Sequence, residues 1–198
     1  MNTITNSLKE VLHYSWPMVV LSCVVLISIR LTYLIKNKQK FVVSNEMMML
    51  TFIVYILCLF QIVTSQDVSS VHGINVTLFK ELTRYQIGTR LFYRNIVGNI
   101  LMFVPFGFFT SYYLKLEKKR VIFYLTLIVA AVIELIQLKI GRAFDVDDII
   151  LNMVGSLLGY FLYRLVAKIF GDLSDTVKGA FIVIGILTMI VVLAILII

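Results

Sequence analysis

Six long apolar runs constrain this chain more than any other feature: residues 16–35, 47–63, 96–114, 121–138, 149–166 and 179–198. A helix rises roughly 1.5 Å per residue and the hydrocarbon layer of a bilayer is roughly 30 Å thick, so runs of about 18 residues are candidate spans. Inside lipid every backbone group must pair internally, and runs of this length without polar alternation do so as helices rather than as a barrel. The expected class is therefore all-α, a polytopic transmembrane helix bundle of about six spans forming one membrane domain over 1–198. Composition agrees, with a mean hydropathy of +0.97. Only 15% of residues are charged, against about 25% in soluble domains.

The first run is followed at once by KNKQK and has no small-residue cleavage pattern behind it, so it reads as a retained anchor rather than a signal peptide. Cys23 and Cys58 fall in mid-span, where packing explains them. The net charge of +7 does not point to nucleic acid, because the basic residues sit in short loops beside spans, where they set orientation. Lys36, Lys38 and Lys40, then Lys115, Lys118, Lys119 and Arg120, then Arg164, Lys168 and Lys178 mark one side as cytoplasmic. Both termini and the loops 64–95 and 139–148 then lie outside. Those outer loops carry Lys80, Arg84, Arg90, Arg94, Lys139 and Arg142, so the bias is moderate.

The longest connection opens with the polar stretch TSQDVSSVHG and continues as NVTLFKELTRYQ. In the second part Leu78, Phe79, Leu82 and Tyr85 share one helical face, opposite Thr77, Lys80, Glu81 and Arg84. The pattern predicts a short amphipathic helix near 75–86, lying in the outer interface.

The polar residues within the spans need separate explanation. Residues 134–148 read ELIQLKIGRAFDVDD between two of the most apolar segments of the chain. Glu134 lies about one turn below the outer surface, where an acid is costly and usually faces the protein interior. Gln137, three residues on, shares its helix face. In the fifth run Asp148, Asn152, Gly155, Gly159 and Tyr163 form one narrow stripe, polar at its outer end and small in the middle. Gly155 and Gly159 make a G-x-x-x-G pair that admits close helix approach. The third run contributes Asn95, Gly98 and Asn99 on one face, then Pro105 and Gly107, the proline removing a backbone hydrogen bond in mid-span. Spans three, four and five can therefore converge their polar faces at one end.

Each residue also has a packing explanation. Glu134 could pair with Arg142 across the hairpin, and Asn99 and Asn152 could join helices by hydrogen bonds. Pro105 could shape packing alone. Asp145, Asp147 and Asp148 could cap the fifth helix, which is the preferred reading for Asp147 and Asp148. For Glu134 a functional role is preferred, because intramembrane acids are expensive.

At these residues the chain resembles the VanZ-like family of bacterial membrane proteins. The family pattern has an asparagine-rich start and Pro-x-Gly in one span, Glu-x-x-Gln at the end of the next, then Gly-Arg, acidic residues and Asp-x-x-x-Asn-x-x-Gly-x-x-x-Gly. Here these are Asn95, Asn99, Pro105 and Gly107, then Glu134 and Gln137, Gly141 and Arg142, and Asp148, Asn152, Gly155 and Gly159. The resemblance covers 45–165 as a VanZ-like core, with 1–40 and 170–198 as flanking transmembrane anchors. Many members carry Asn-x-x-Pro-Phe in the external loop, whereas here Asn75 is followed by Val-Thr-Leu-Phe, with Leu78 at the proline place. The family is named for a protein that lowers susceptibility to the glycopeptide teicoplanin, so the resemblance implies a multi-pass protein of the bacterial cytoplasmic membrane acting in the envelope.

Three functions are open. The first is binding of a lipid-linked wall precursor or lipoglycopeptide at an outer polar site made by Glu134, Gln137, Arg142, Asp145, Asp148, Asn152, Asn99 and Asn95. Arg142 would supply a forked donor to phosphate or carboxylate. The second is an enzyme acting on a lipid phosphate or glycolipid headgroup, with Glu134 or Asp148 as the catalytic acid or base. The third is a transporter, ranked last because the inner halves of the spans offer little beyond Thr110 and Tyr113. His13 and His72 have no metal-ligand spacing, no Ser-His or Cys-His arrangement is present, and no cofactor or metal is expected. Membrane lipids are the expected partners.

Overall fold

A computed structural model describes residues 17, 20–22, 24–65, 73–170, 178–179 and 183. Residues 24–36 are helical (α1), followed by α2 (Val43–Ser65), a two-residue strand β1 (Ile74–Asn75) and a single helical turn α3 (Lys80–Arg84). Next come α4 (Arg90–Phe92), a π-helical turn (Tyr93–Val97) and α5 (Gly98–Leu114), which together form one continuous helix. α6 (Lys119–Lys139), β2 (Phe144–Asp145) and α7 (Val146–Phe170) complete the order. Among the described residues four helices are long and apolar enough to cross a membrane: Val43–Phe60, Arg90–Leu114, Lys119–Lys139 and Val146–Ile169. They correspond to expected spans two to five. The first expected span is helical where it is described, and the sixth falls almost wholly outside the described residues.

The bundle is organised around the pairing of α5 with α7, the most extensive helix contact of the described residues. Glycines make it possible. A Cβ at Gly107 would collide with the carbonyl of Ser156, one at Gly155 with that of Ile100, and one at Gly159 with that of Val104. The two backbones therefore touch directly, as the small-residue stripe implied. Around this seam Tyr55, Leu59 and Val63 of α2 pack with Met102, Phe103 and Phe106 of α5, Ile122 of α6 and Tyr160 of α7. Met48, Phe108, Phe109 and Val166 form a second cluster.

Polar groups in the packed half of the bundle are satisfied locally. Tyr55 Oη donates to the Met102 carbonyl at 2.7 Å, Thr126 Oγ1 to Ser156 Oγ at 2.6 Å, and Ser111 Oγ to the Gly107 carbonyl. Val121, Tyr124, Ile128, Val132 and Leu135 leave one side of α6 exposed and apolar, as a lipid-facing surface should be. α1 is tied to α2 by a two-pronged ion pair: Arg30 Nε lies 2.9 Å from Glu46 Oε2 and Arg30 Nη2 lies 3.0 Å from Glu46 Oε1.

The segment 75–86 differs from the expected amphipathic helix, since only Lys80–Arg84 is helical. Tertiary bonds override the local periodicity. β1 pairs in parallel with β2, Ile74 beside Phe144 and Asn75 beside Asp145. Phe79 then takes a left-handed conformation (φ 64°), and its N–H donates to Asp147 Oδ1 at 2.6 Å. The helix can begin only after this anchor.

Candidate functional site

The polar ends of the central helices meet in one cavity. It is lined by Arg94, Asn95 and Asn99 from the π turn and the start of α5, by Glu134 and Gln137 near the end of α6, by Arg142 in the following turn, and by Asp148 and Asn152 of α7. Val63, Met102 and Ile133 supply its apolar wall. About 30 Å³ is open to the centre of a water molecule, room for about two waters.

Local backbone chemistry places each group. The π turn inserts extra backbone into the third span, a feature that recurs at functional sites because it re-aims side chains. At the end of α6, Gly141 adopts a left-handed conformation (φ 90°). The Arg142 N–H donates back to the Gln137 carbonyl at 2.9 Å, closing the helix in a Schellman-type reversal that turns the chain toward β2. Arg142 is thereby folded back over the helix end that carries Glu134 and Gln137.

Glu134 is 2% exposed. Its Oε2 accepts from the Asp145 backbone N–H at 2.9 Å. The Gln137 amide, oriented by its neighbours, donates to Glu134 Oε1 at 2.9 Å and accepts from Arg142 Nη1. Glu134 and Arg142 are thus joined through Gln137 rather than by the direct pair that the sequence allowed. Burial pushes the Arg142 guanidinium below its ordinary pKa, the carboxyl groups of Glu134 and Asp148 oppose that shift, and nearby Arg94 adds to it. An arginine so placed stays charged, and it holds a desolvated positive charge beside the cavity.

The three aspartates divide their work. Asp145 caps α7: its Oδ1 accepts from the Asp147 N–H at 2.9 Å, and its carboxylate also accepts from Asn75 Nδ2 at 3.1 and 3.2 Å. Asp147 is fully buried and anchors the 75–86 segment through Phe79. Asp148 lines the cavity, where its Oδ1 accepts from Asn99 Nδ2 at 2.6 Å. Asp145, immediately before the first helical residue, takes the N-cap, while Asp147 and Asp148 lie in the first turn of α7, where negative charge also suits the helix N-terminus. Asn152 is 2% exposed, and its Oδ1 meets no hydrogen-bond donor among the described residues.

Glu134, Gln137, Arg142, Asp148, Asn152, Asn99 and Asn95 are thus brought together, while Asp145 faces Asn75 instead. Pro105 and the three glycines Gly107, Gly155 and Gly159 lie deeper, buried in α5 or along its seam with α7. The roles of two residues escaped the sequence reading. Arg94 looked like an outer-loop cation, although its position next to Asn95 was the available signal. Asn75 enters the sequence reading only through the loop motif of the resemblance, and its partner Asp145, 70 residues away, is beyond any local pattern.

A family model described as VanZ/LLP1 matches residues 18–167 of the 198. The match takes in most of the first apolar run as well as the four long helices. No curated protein and no solved structure matches the chain.

Proposed function

The chain is a member of the VanZ-like family, a membrane protein by its helices, and from that premise we propose that its polar cavity is an outward-facing site for the headgroup of a lipid-linked envelope molecule. A lipid-linked wall precursor or a lipoglycopeptide is the candidate ligand, and its capture alters susceptibility to glycopeptides such as teicoplanin. The observation that carries this reading is the convergence of two arginines, two carboxyl groups and three asparagines on one small cavity at a common end of otherwise apolar helices. Arg142 offers a forked donor to a phosphate or carboxylate. The apolar wall and the exposed Leu78, Phe79 and Ile87 of the outer loop give a lipid tail a surface to follow.

Binding ranks ahead of catalysis on one feature. Among the described residues the cavity lining has no hydroxyl, thiol or imidazole to act as a nucleophile, and both oxygens of Glu134 already hold structural hydrogen bonds. A transport path ranks behind both, because the direct backbone contact of α5 with α7 closes the bundle below the cavity.

The test has two arms. In a background with Cys23 and Cys58 replaced by alanine, Asn95→Cys is expected to react in intact cells with a maleimide that cannot cross membranes. In a glycopeptide-susceptible host, expression of the wild-type chain is expected to raise the inhibitory concentration of teicoplanin, and Arg142→Ala, at equal membrane abundance, to remove that rise. Labelling only after the membrane is permeabilised would place the site on the wrong side. An inhibitory concentration that wild-type expression leaves unchanged would remove the glycopeptide link.

A further inference from the structure

We infer that the cavity selects a primary ammonium carried next to an anionic oxygen group, the chemistry of an aminoethyl phosphate headgroup. The inference rests on the headgroup reading above and names the part of the ligand that enters.

The starting point is Asn152. Its Oδ1 is buried and lacks a donor among the described residues, and a buried acceptor left without a partner is among the more expensive features a fold can carry. Asn152 lines the cavity, so its oxygen is an acceptor that a ligand N–H or O–H entering that space can take in place of solvent. The same space is bordered by the carboxyl groups of Glu134 and Asp148. Each already accepts hydrogen bonds from the protein, yet a carboxylate has about four acceptor positions. An amide oxygen and two carboxyl groups match in number the three N–H donors of a primary ammonium, and the carboxyl groups favour a cation over a hydroxyl.

The cationic side of the site accounts for the other half of the ligand. Arg142 uses Nη1 on Gln137, which leaves further donors of its guanidinium, and Arg94 is exposed where it borders the same cavity. Together they offer a phosphate a pair of forked partners at the mouth. With two guanidinium and two carboxyl groups in the lining, a zwitterion meets opposite charge at both ends. Donor chemistry narrows the choice. A trimethylammonium group has no N–H to give to these acceptors, and space for about two waters favours the smaller ammonium head.

Native mass spectrometry of the full-length, detergent-solubilised chain tests this with synthetic phosphatidylethanolamine, phosphatidylcholine and phosphatidylglycerol of identical acyl chains at equal concentration. Phosphatidylethanolamine is expected to be retained about tenfold over each of the others, a difference of about 1.4 kcal/mol. The preference should vanish in Asp148→Asn, which keeps the side-chain volume, and in Asn152→Ala, with each variant first shown to elute as a single species. Equal retention of phosphatidylglycerol and phosphatidylethanolamine would overturn the ammonium assignment while leaving the headgroup reading intact. Preference for phosphatidylethanolamine that both variants preserve would also overturn it. Equal retention of all three lipids, unaffected by Arg142→Ala, would overturn both. Free phosphoethanolamine, added as competitor, separates the sources: displacement of the lipid means that the headgroup alone is recognised, and failure to displace it means that the acyl chains are required. Either supports the ammonium chemistry when the preference is present.

Discussion

Gly155→Leu is expected to abolish the folded protein: a fluorescent fusion should lose its single sharp elution peak in size-exclusion chromatography of solubilised membranes. The first atom of any side chain at this position meets the Ile100 carbonyl of the facing helix. Gly107 and Gly159 are blocked in the same way by the carbonyls of Ser156 and Val104. Where the obstacle is a flexible side chain, a rotamer change absorbs the clash, but here it is backbone on both sides. The helices must move apart, and the packing of Phe103 and Phe106 against α2 and α7 goes with them. Overpacking a core typically costs about 1–3 kcal/mol, and a backbone obstacle puts this site at about 3 kcal/mol or more. Gly73→Ala is the control, because a Cβ there meets nothing within 4 Å, and it should elute as the wild type does. A sharp peak and unchanged thermal stability for Gly155→Leu would show that α5 and α7 are not in backbone contact.

The second large effect is expected at Glu134. Glu134→Leu strands the buried Asp145 N–H and removes the acceptor that orients Gln137, and with it the grip of Gln137 on Arg142. Each buried donor left unmatched costs about 1–3 kcal/mol, so a loss of about 3 kcal/mol is expected. For a chain of this size that corresponds to roughly 10 °C in thermal midpoint. Glu134→Gln is the more informative partner. Its amide oxygen can still accept from Asp145, but its NH₂ then faces Gln137, whose own amide must present oxygen to it and NH₂ to Arg142. Donor would oppose donor, so Arg142 is released although the fold stands. The midpoint should fall by about half as much as for leucine, while lipid retention falls as far as in Arg142→Ala. A midpoint for Glu134→Leu equal to that of the wild type would show that the carboxylate holds neither partner.

Most of the candidate site's geometry was legible from spacing. Hydropathy located the long helices, and the depth of Glu134, its three-residue offset from Gln137, and the stripe from Asp148 through Gly159 put the main groups on facing helices. Other parts depend on facts that a periodicity of 3.6 cannot carry. The π turn at Tyr93–Val97 changes the angular phase of Arg94 and Asn95 relative to the rest of their helix. Among the three aspartates, the N-cap is fixed by where the helix begins. α7 starts at Val146, three residues ahead of the apolar run, so Asp145 caps and Asp148 is carried round to Asn99. The 75–86 segment shows the same effect on a larger scale. Its apolar face was a sound local reason to expect a helix, and the distant bonds from Asn75 to Asp145 and from Phe79 to Asp147 outweighed it.

That the polar cavity exists to hold an envelope molecule is the central claim, and it is tested most directly by identifying what the protein carries out of the membrane. The wild-type chain and Arg142→Ala, purified in the same mild detergent, should be extracted and their lipids compared by mass spectrometry. A phosphate-bearing envelope lipid enriched on the wild type over the bulk membrane, and lost from the variant, is the predicted result. Lipid profiles that match the bulk membrane in both proteins would contradict it.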